Sequence, residues 1–182
     1  MATKQDLRRQ FKTLRDGVSI QERMLGSDRI CRQVADLCAA RKVVSVGAFW
    51  PFGSEVDLRP LIASQPFLSF FFPRIASVEP PCLTWGPQPL EPGAWGLQEP
   101  VWSPHALPPV QLLLVPGLAF ASDGQRLGYG RGFYDAVLAG LAPETLTLGV
   151  GFSFQRCASL PTGPQDRPVQ ALVDENGLTW LK

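Results

Sequence analysis

Two stretches near the start of the chain carry apolar side chains at helical spacing. Thr3 is placed to cap a first helix, with Asp6 in its first turn. Leu7, Phe11 and Leu14 follow at intervals of four and three, which predicts one apolar stripe. Ser19-Ile20-Gln21-Glu22 reads as a capping box opening a second helix. Ile30, Val34, Leu37 and Cys38 form its apolar face down to about Ala40. The pattern then changes period. Val43 to Phe49 is a β-branched run and predicts a strand. Asp57 is expected to cap a short helix through Ser64, since Pro60 is tolerated in a first turn. Phe67 to Phe72 predicts the next strand. Gln111 to Val115 and Thr145 to Val150 are two more, and between them lie a glycine-rich loop and a helix from about Phe133 to Leu141. Val169 to Val173 and Leu178 to Leu181 flank Asp174-Glu175-Asn176-Gly177, a hairpin signal. Helices alternating with buried strands predict an α/β fold with a largely parallel sheet covered on both faces.

Residues 73–110 break this pattern. They hold ten of the eighteen prolines and show strand-like scraps, Cys82 to Trp85 and Gly96 to Gln98, without a helical period. The stretch reads as a long ordered loop or a small β excursion over one end of the sheet. Its 182 residues make the chain one domain of ordinary size, expected over 1–182. Hydrophobic residues at 45% and charged residues at 18% argue against a disordered chain. A net charge of +1 leaves no bulk electrostatic grip on nucleic acid or an anionic membrane. The longest apolar run, Pro66 to Pro73, falls far short of the ~18 residues of a membrane span and reads as a buried strand. The charged N-terminus, with Lys4, Asp6, Arg8 and Arg9, lacks the apolar region of a secretory signal. Cys31, Cys38, Cys82 and Cys157 form no CxxC pair, and the single His105 cannot complete a zinc site. All four read as buried thiols of a cytosolic protein.

Candidate chemistry concentrates between Pro116 and Asp135, in the loop between a buried strand and a helix. In open α/β sheets ligands bind there. Gly128, Gly130 and Gly132 let backbone amides approach an anion, Arg126 and Arg131 add planar charge, and the following helix N-terminus adds its dipole. Together these suit a nucleotide polyphosphate, and Asp135 could hold a magnesium ion shared with the phosphates. No P-loop is present, and a GxGxxG match from Gly128 fails at Phe133. The bland reading is a glycine-rich turn with solvated arginines. On the first helix, Lys4, Arg8 and Arg15 fall within roughly 40° of one another beside the apolar stripe. They are either a row reaching over a cleft or a solvated face. Arg15 lies about 10 Å beyond Arg8 along the axis, too far for the same phosphates, and none of the three is expected in the core. Phe49 to Asp57 offers an aromatic wall and two carboxylates. Trp50 could stack on a heterocycle and Glu55 accept from its ring nitrogens, or the segment is core aromatics with a helix cap.

The stretch from Pro116 to Asp135 resembles the signature of the 5-formyltetrahydrofolate cyclo-ligase family, also called methenyltetrahydrofolate synthetase, PGxxFD…GxRLGxGxGYYD. Lys4-Gln5-Asp6-Leu7-Arg8 resembles the family's KxxLR helix, Glu55-Val56-Asp57 its folate-binding glutamate segment, Phe72-Pro73-Arg74 its FPR strand end, and Gly96-Leu97-Gln98-Glu99-Pro100 its GIxEP turn. The resemblance covers most of the chain. It implies a three-layer α/β/α sandwich with a mainly parallel, Rossmann-like central sheet, in a monomeric cytoplasmic enzyme. The implied reaction is ATP-dependent cyclisation of 5-formyltetrahydrofolate to 5,10-methenyltetrahydrofolate, with Mg²⁺, through phosphorylation of the formyl oxygen. By resemblance Lys4 and Arg8 bind ATP, and Arg126, Leu127, Gly128, Tyr129, Gly130, Arg131, Gly132, Phe133 and Tyr134 wrap its phosphates. Lys4, Arg8, Arg126 and Arg131 are the implied catalytic charges. Trp50, Glu55, Tyr129, Gly130, Arg131, Gly132 and Phe133 are the implied folate contacts, and Asp135 and Asp166 stand at the metal positions. The chain departs from the family pattern at Ala121, Ile75, Gln165 and Gln170. Two other readings stay open: a non-catalytic folate- or nucleotide-binding homologue, and an ATP-dependent enzyme of the same fold acting on another substrate.

Overall fold

The computed structural model describes residues 2–103 and 106–181; His105 lies outside them. Two N-terminal helices, α1 (Lys4–Gly17) and α2 (Ile20–Arg41), open on capping boxes in which Thr3 pairs with Asp6 and Ser19 with Glu22. Each box satisfies two backbone donors at a helix start, so both boundaries follow from short-range chemistry. A seven-stranded sheet is then assembled from β1 (Ser45–Gly47), β2 (Ser69–Val78), β3 (Pro81–Gly86), β6 (Leu112–Pro116), β9 (Leu146–Val150), β11 (Ala171–Asp174) and β12 (Gly177–Trp180). Its order is β12-β11-β9-β6-β1-β2-β3. The five central strands are parallel, and the hairpin partners β3 and β12 close the edges antiparallel.

β6 shows why the sheet is buried on both faces. Leu112 and Leu114 point into one apolar cluster with Ile30, Val34 and Cys38 of α2, while Leu113 and Val115 point into a second. That second cluster includes Phe133, Tyr134, Val137 and Leu138 of α4 (Phe133–Ala139). Successive strand side chains alternate sides, so a continuous apolar run serves two faces at once. The expected three-layer α/β/α arrangement follows, with α2 and α3 (Arg59–Ser64) on one face and the short α4 on the other. α1 packs apart from both, with Leu7 and Phe11 against Leu118, Ala119 and Leu127. The last three lie in or beside a small second sheet, which holds β7 (Ala119–Ala121), β8 (Arg126–Leu127) and β10 (Arg156–Cys157). The Phe120 ring locks the two sheets together. It fills a slot where a side chain at Gly117, Gly149 or Gly151 would lie 2.7–2.9 Å from it.

Several local expectations need correction. Leu14 is 48% exposed and Arg15 is buried, so the inward stripe of α1 is Leu7–Phe11–Arg15. A spacing of four keeps residue 15 within 40° of Phe11, and polar partners wait there. Phe67 is exposed, and β2 begins at Ser69 but runs on through Pro73 to Val78. Pro73 is tolerated inside it because β1 ends at Gly47, opposite Phe71, leaving no ladder bond for an N–H at 73. Asp57 accepts the Arg59 N–H, yet the N-cap position of α3 is Leu58. Cys82 is exposed and Cys157 half-buried; only Cys31 and Cys38 are fully buried thiols. The proline-rich stretch is a β excursion, with β4 (Leu90–Pro92) pairing antiparallel with β5 (Gln98–Pro100).

Candidate functional site

The order of the parallel strands reverses at β1, which lies between β2 and β6. Neighbouring crossovers leave in opposite directions there and open a crevice at the carboxyl ends of the strands. A cavity of about 320 Å³ occupies that position. Phe49 and Trp50 enter it from the exit of β1 and Pro116 from the end of β6. The sequence-predicted residues Lys4, Arg8, Trp50, Glu55, the whole run Arg126 to Asp135, and Asp166 all line it.

One side of the cavity is cationic. α1 reaches the glycine loop through Arg8, whose Nε donates to the Gly128 carbonyl at 3.0 Å. Gly130 and Gly132 have φ of +93° and +75°, backbone that L side chains rarely adopt. The Arg126 side chain is 5% exposed and pairs with Asp135 at 3.0 Å, while its Nε has no partner among the described residues. Arg131 is exposed, with its guanidinium 5.0 Å from the Trp95 ring centre. α4 has seven residues and its N-cap, Gly132, offers no side-chain cap, so the expected dipole contribution comes from a short helix.

The other side is aromatic and acidic. Trp50 packs edge-on against Phe72 at 5.9 Å. The Glu55 side chain is 8% exposed; its Oε1 accepts from the Tyr129 hydroxyl at 2.7 Å and its Oε2 from the Phe52 N–H at 3.0 Å. Burial pushes the Glu55 carboxyl above its ordinary range, against the opposing pull of Tyr129, Arg15 and the Phe52 amide. Burial first, and then the charge of Glu55, push the Tyr129 phenol up as well, so it stays a donor. Behind this pair stands Arg15, 3% exposed, donating to the Ser54 hydroxyl at 3.0 Å and to the Tyr129 oxygen at 2.6 Å. The expectation that Arg15 lies outside the core is therefore corrected. Helical rise separates it from Arg8, but the loop and the β1 exit come to meet it.

Each of the two candidate metal carboxylates is engaged by a cation of the chain. Lys4 Nζ lies 2.5 Å from Asp166. Burial would raise the Asp166 carboxyl, but hydrogen bonds from Lys4 and the Gly163 N–H, with the charges of Lys4 and Arg126, hold it below the usual range. Asp135 lies in the first turn of α4 and faces Arg126 rather than the N-cap. Among the described residues no group of three or more His, Cys, Asp or Glu side chains is placed to hold a metal. Two carboxylates on one cavity still meet the usual demand of Mg²⁺, which takes one or two from protein and shares phosphate oxygens.

Sequence reasoning did not place Trp95 or Glu99 in the wall. Trp95 sits at φ +55° in the turn between β4 and β5, and its ring lies 6.4 Å from Phe133. Glu99, 4% exposed, accepts the Ile75 N–H at 3.1 Å, on the edge of β2 beyond the end of β1. Tryptophan content was the available signal for this segment. The departures from the family pattern fall mostly outside the cavity. Ala121 is fully buried in β7, and Gln170 bonds to Thr147 between strands. Ile75 alone of the four lines the cavity.

The model of the 5-formyltetrahydrofolate cyclo-ligase family matches residues 1–175. The 5-formyltetrahydrofolate cyclo-ligase of Mycolicibacterium smegmatis is 34% identical over 151 residues, covering 76% of this chain and 77% of that one. The Haemophilus influenzae enzyme of the same name is 22% identical, over 91% of this chain and 94% of its own. Among solved structures, the Aquifex aeolicus 5,10-methenyltetrahydrofolate synthetase superposes with a TM-score of 0.83 at 32% identity, covering 98% of this chain and 93% of that one. The Mycoplasma pneumoniae synthetase shares the fold, with a TM-score of 0.78 at 20% identity over 96% and 99%. With its signature loop, its first helix and the glutamate at the β1 exit all lining one cavity, this chain belongs to the 5-formyltetrahydrofolate cyclo-ligase family.

Proposed function

We propose that the chain is an ATP-dependent cyclo-ligase, a single catalytic domain over residues 1–182 that converts 5-formyltetrahydrofolate to 5,10-methenyltetrahydrofolate and releases ADP and phosphate. The observation that carries this reading is one cavity joining a cationic glycine loop to an aromatic wall with a buried carboxylate. Its volume suits the reacting ends of two substrates, a pterin with its formyl group and a terminal phosphate, whose remaining parts extend outward.

The chemistry asks for alignment more than for a protein nucleophile. The formyl oxygen attacks the terminal phosphorus of ATP and the bond to ADP breaks. The other bridging nitrogen of the folate then attacks the formyl carbon and loses its proton, and the carbon–oxygen bond breaks as phosphate leaves. Lys4, Arg8, Arg126 and Arg131 with the loop amides would neutralise the transferring phosphoryl group. Trp50 would support the pterin ring, and Glu55 would accept its N–H groups, with Tyr129, Gly130, Arg131, Gly132 and Phe133 closing over it. Holding the reactants in line supplies much of the rate. Asp135 and Asp166 would hold Mg²⁺, which when bound offsets phosphate charge. The reading extends to a monomer acting in the cytoplasm.

The test is direct. Purified protein with Mg-ATP and 5-formyltetrahydrofolate should develop the near-ultraviolet absorbance of the methenyl product with one ADP per turnover. Folded protein that releases ADP only with another substrate, or never, overturns the reading.

A further inference from the structure

We infer that Arg15 is a positioning residue for the folate: from behind the cavity wall it holds Tyr129 and Glu55 in the arrangement that meets the substrate. This rests on the proposed function, since it assigns Glu55 to the pterin. Arg15 does not itself line the cavity. Its side chain is nonetheless 3% exposed, an unusual place for a permanent charge unless partners are waiting. The partners come from two separate segments. Ser54, at the exit of β1, accepts from Nε, and Tyr129, in the glycine loop, accepts from Nη2. Glu55 Oε1 is 4.0 Å away.

Arginine has only donors and does not deprotonate in a protein. The Tyr129 oxygen therefore always spends an acceptor site on Arg15, and its hydroxyl hydrogen turns to Glu55. Glu55 in turn takes the Phe52 amide on its other oxygen. Three bonds thus fix the rotation of the carboxylate and leave its remaining lone pairs for a ligand. The same row decides its charge. Arg15 is the cation nearest to Glu55, and Asp16 of α1 binds the far side of Ser54. Tyr129 and Tyr134 are the titratable groups facing it from the loop and from α4, and Lys4 and Arg8 share the cavity. Burial favours the protonated form of Glu55, and Arg15 opposes it. Without Arg15 the carboxyl keeps its proton to a higher pH, and a protonated oxygen no longer accepts from the pterin at that site.

Arg15→Met and Arg15→Lys test this alongside the wild type. Steady-state kinetics for both substrates would be run across pH, with ¹³C-carboxyl titration of Glu55 in ligand-free protein, assigned by Glu55→Gln. Arg15→Met should raise KM for 5-formyltetrahydrofolate about tenfold, with KM for ATP near wild type. It should move the Glu55 titration and the acid limb of folate binding upward by about one pH unit. Arg15→Lys, which keeps the charge but loses the fork, should restore the pH midpoint while KM for folate stays raised. A merely structural role would lower stability and affect both substrates without moving the titration. Folded Arg15→Met with wild-type folate KM and wild-type titration overturns the assignment. If Arg15→Met does not fold, Arg15→Lys carries the test, since the lost fork should raise KM for folate while KM for ATP stays near wild type; no rise in KM for folate overturns it. A wild type that never turns over 5-formyltetrahydrofolate overturns the functional reading and Arg15's role toward folate with it. Wild-type turnover with indifferent variants overturns the Arg15 assignment alone.

Discussion

Arg8 lies so close to Gly130 that a Cβ on the glycine would sit 3.0 Å from the guanidinium carbon. The same side chain donates to the Gly128 carbonyl. The first helix is therefore part of the loop's construction: it props the glycine turn from one side while Arg126 and Asp135 brace it from the other.

Gly130→Ala should disturb both features at once. A φ of +93° strains an L residue, and the added methyl meets a guanidinium held by its own hydrogen bond. Thermal denaturation should show a loss of about 1–3 kcal/mol, and KM for ATP should rise. An alanine variant that melts and binds ATP like the wild type would show that the turn has another conformation available.

Lys4→Ala and Arg8→Ala should each raise KM for ATP severalfold or more, because a charge-assisted phosphate contact is worth roughly 1.5–3 kcal/mol. Stability should change little for Lys4→Ala, whose ion pair with Asp166 is part-exposed. Unchanged ATP kinetics in both variants would return these side chains to a purely structural role.

Asp135→Asn and Asp166→Asn probe the metal positions. Each carboxylate is paired with a cation, Arg126 or Lys4, that is also a candidate phosphate ligand. Losing a metal ligand should leave folate binding intact, cut turnover strongly, and be partly rescued by raised Mg²⁺ or Mn²⁺. Isothermal titration and initial rates against metal concentration separate the two effects. Turnover unaffected by either substitution would assign both carboxylates to the ion pairs alone.

The cysteines should react unequally in the folded protein. Cys82 is exposed, whereas burial pushes the Cys31 and Cys38 thiols up to about 11. A thiol-directed alkylating reagent at neutral pH should modify Cys82 first and reach Cys31 and Cys38 only after denaturant is added. Mass spectrometry of peptides reads the order. Early labelling of Cys38 would mean that α2 separates from the sheet in the native state.

Much of this molecule is legible residue by residue. The capping boxes at Thr3 and Ser19, the continuous apolar run of β6, the Asn176-Gly177 hairpin and the glycine loop depend on neighbours within a few positions. Local chemistry of that kind is written in order along the chain. Glycine spacing and arginine placement were also sufficient to single out the loop from Pro116 to Asp135 as the candidate site, and its run Arg126 to Asp135 does line the cavity.

What the chain order does not carry is which distant side chains face one another. Leu14 reads as core and Arg15 as surface, yet the structure inverts them, since the value of burying a guanidinium depends on Ser54, Tyr129 and Glu55 arriving from elsewhere. Pro73 reads as a strand end, yet β2 passes through it because β1 has already stopped on that side. Trp95 and Glu99 join the cavity only once β4 and β5 fold back over it. Periodicity and turn chemistry determined the elements and the α/β class, and glycine spacing marked the candidate loop. Only the tertiary structure decided the depth of β2, the covered face of α1 and the Arg15–Tyr129–Glu55 row, because hydrogen bonds and ion pairs across dozens of residues leave no periodic trace in the sequence.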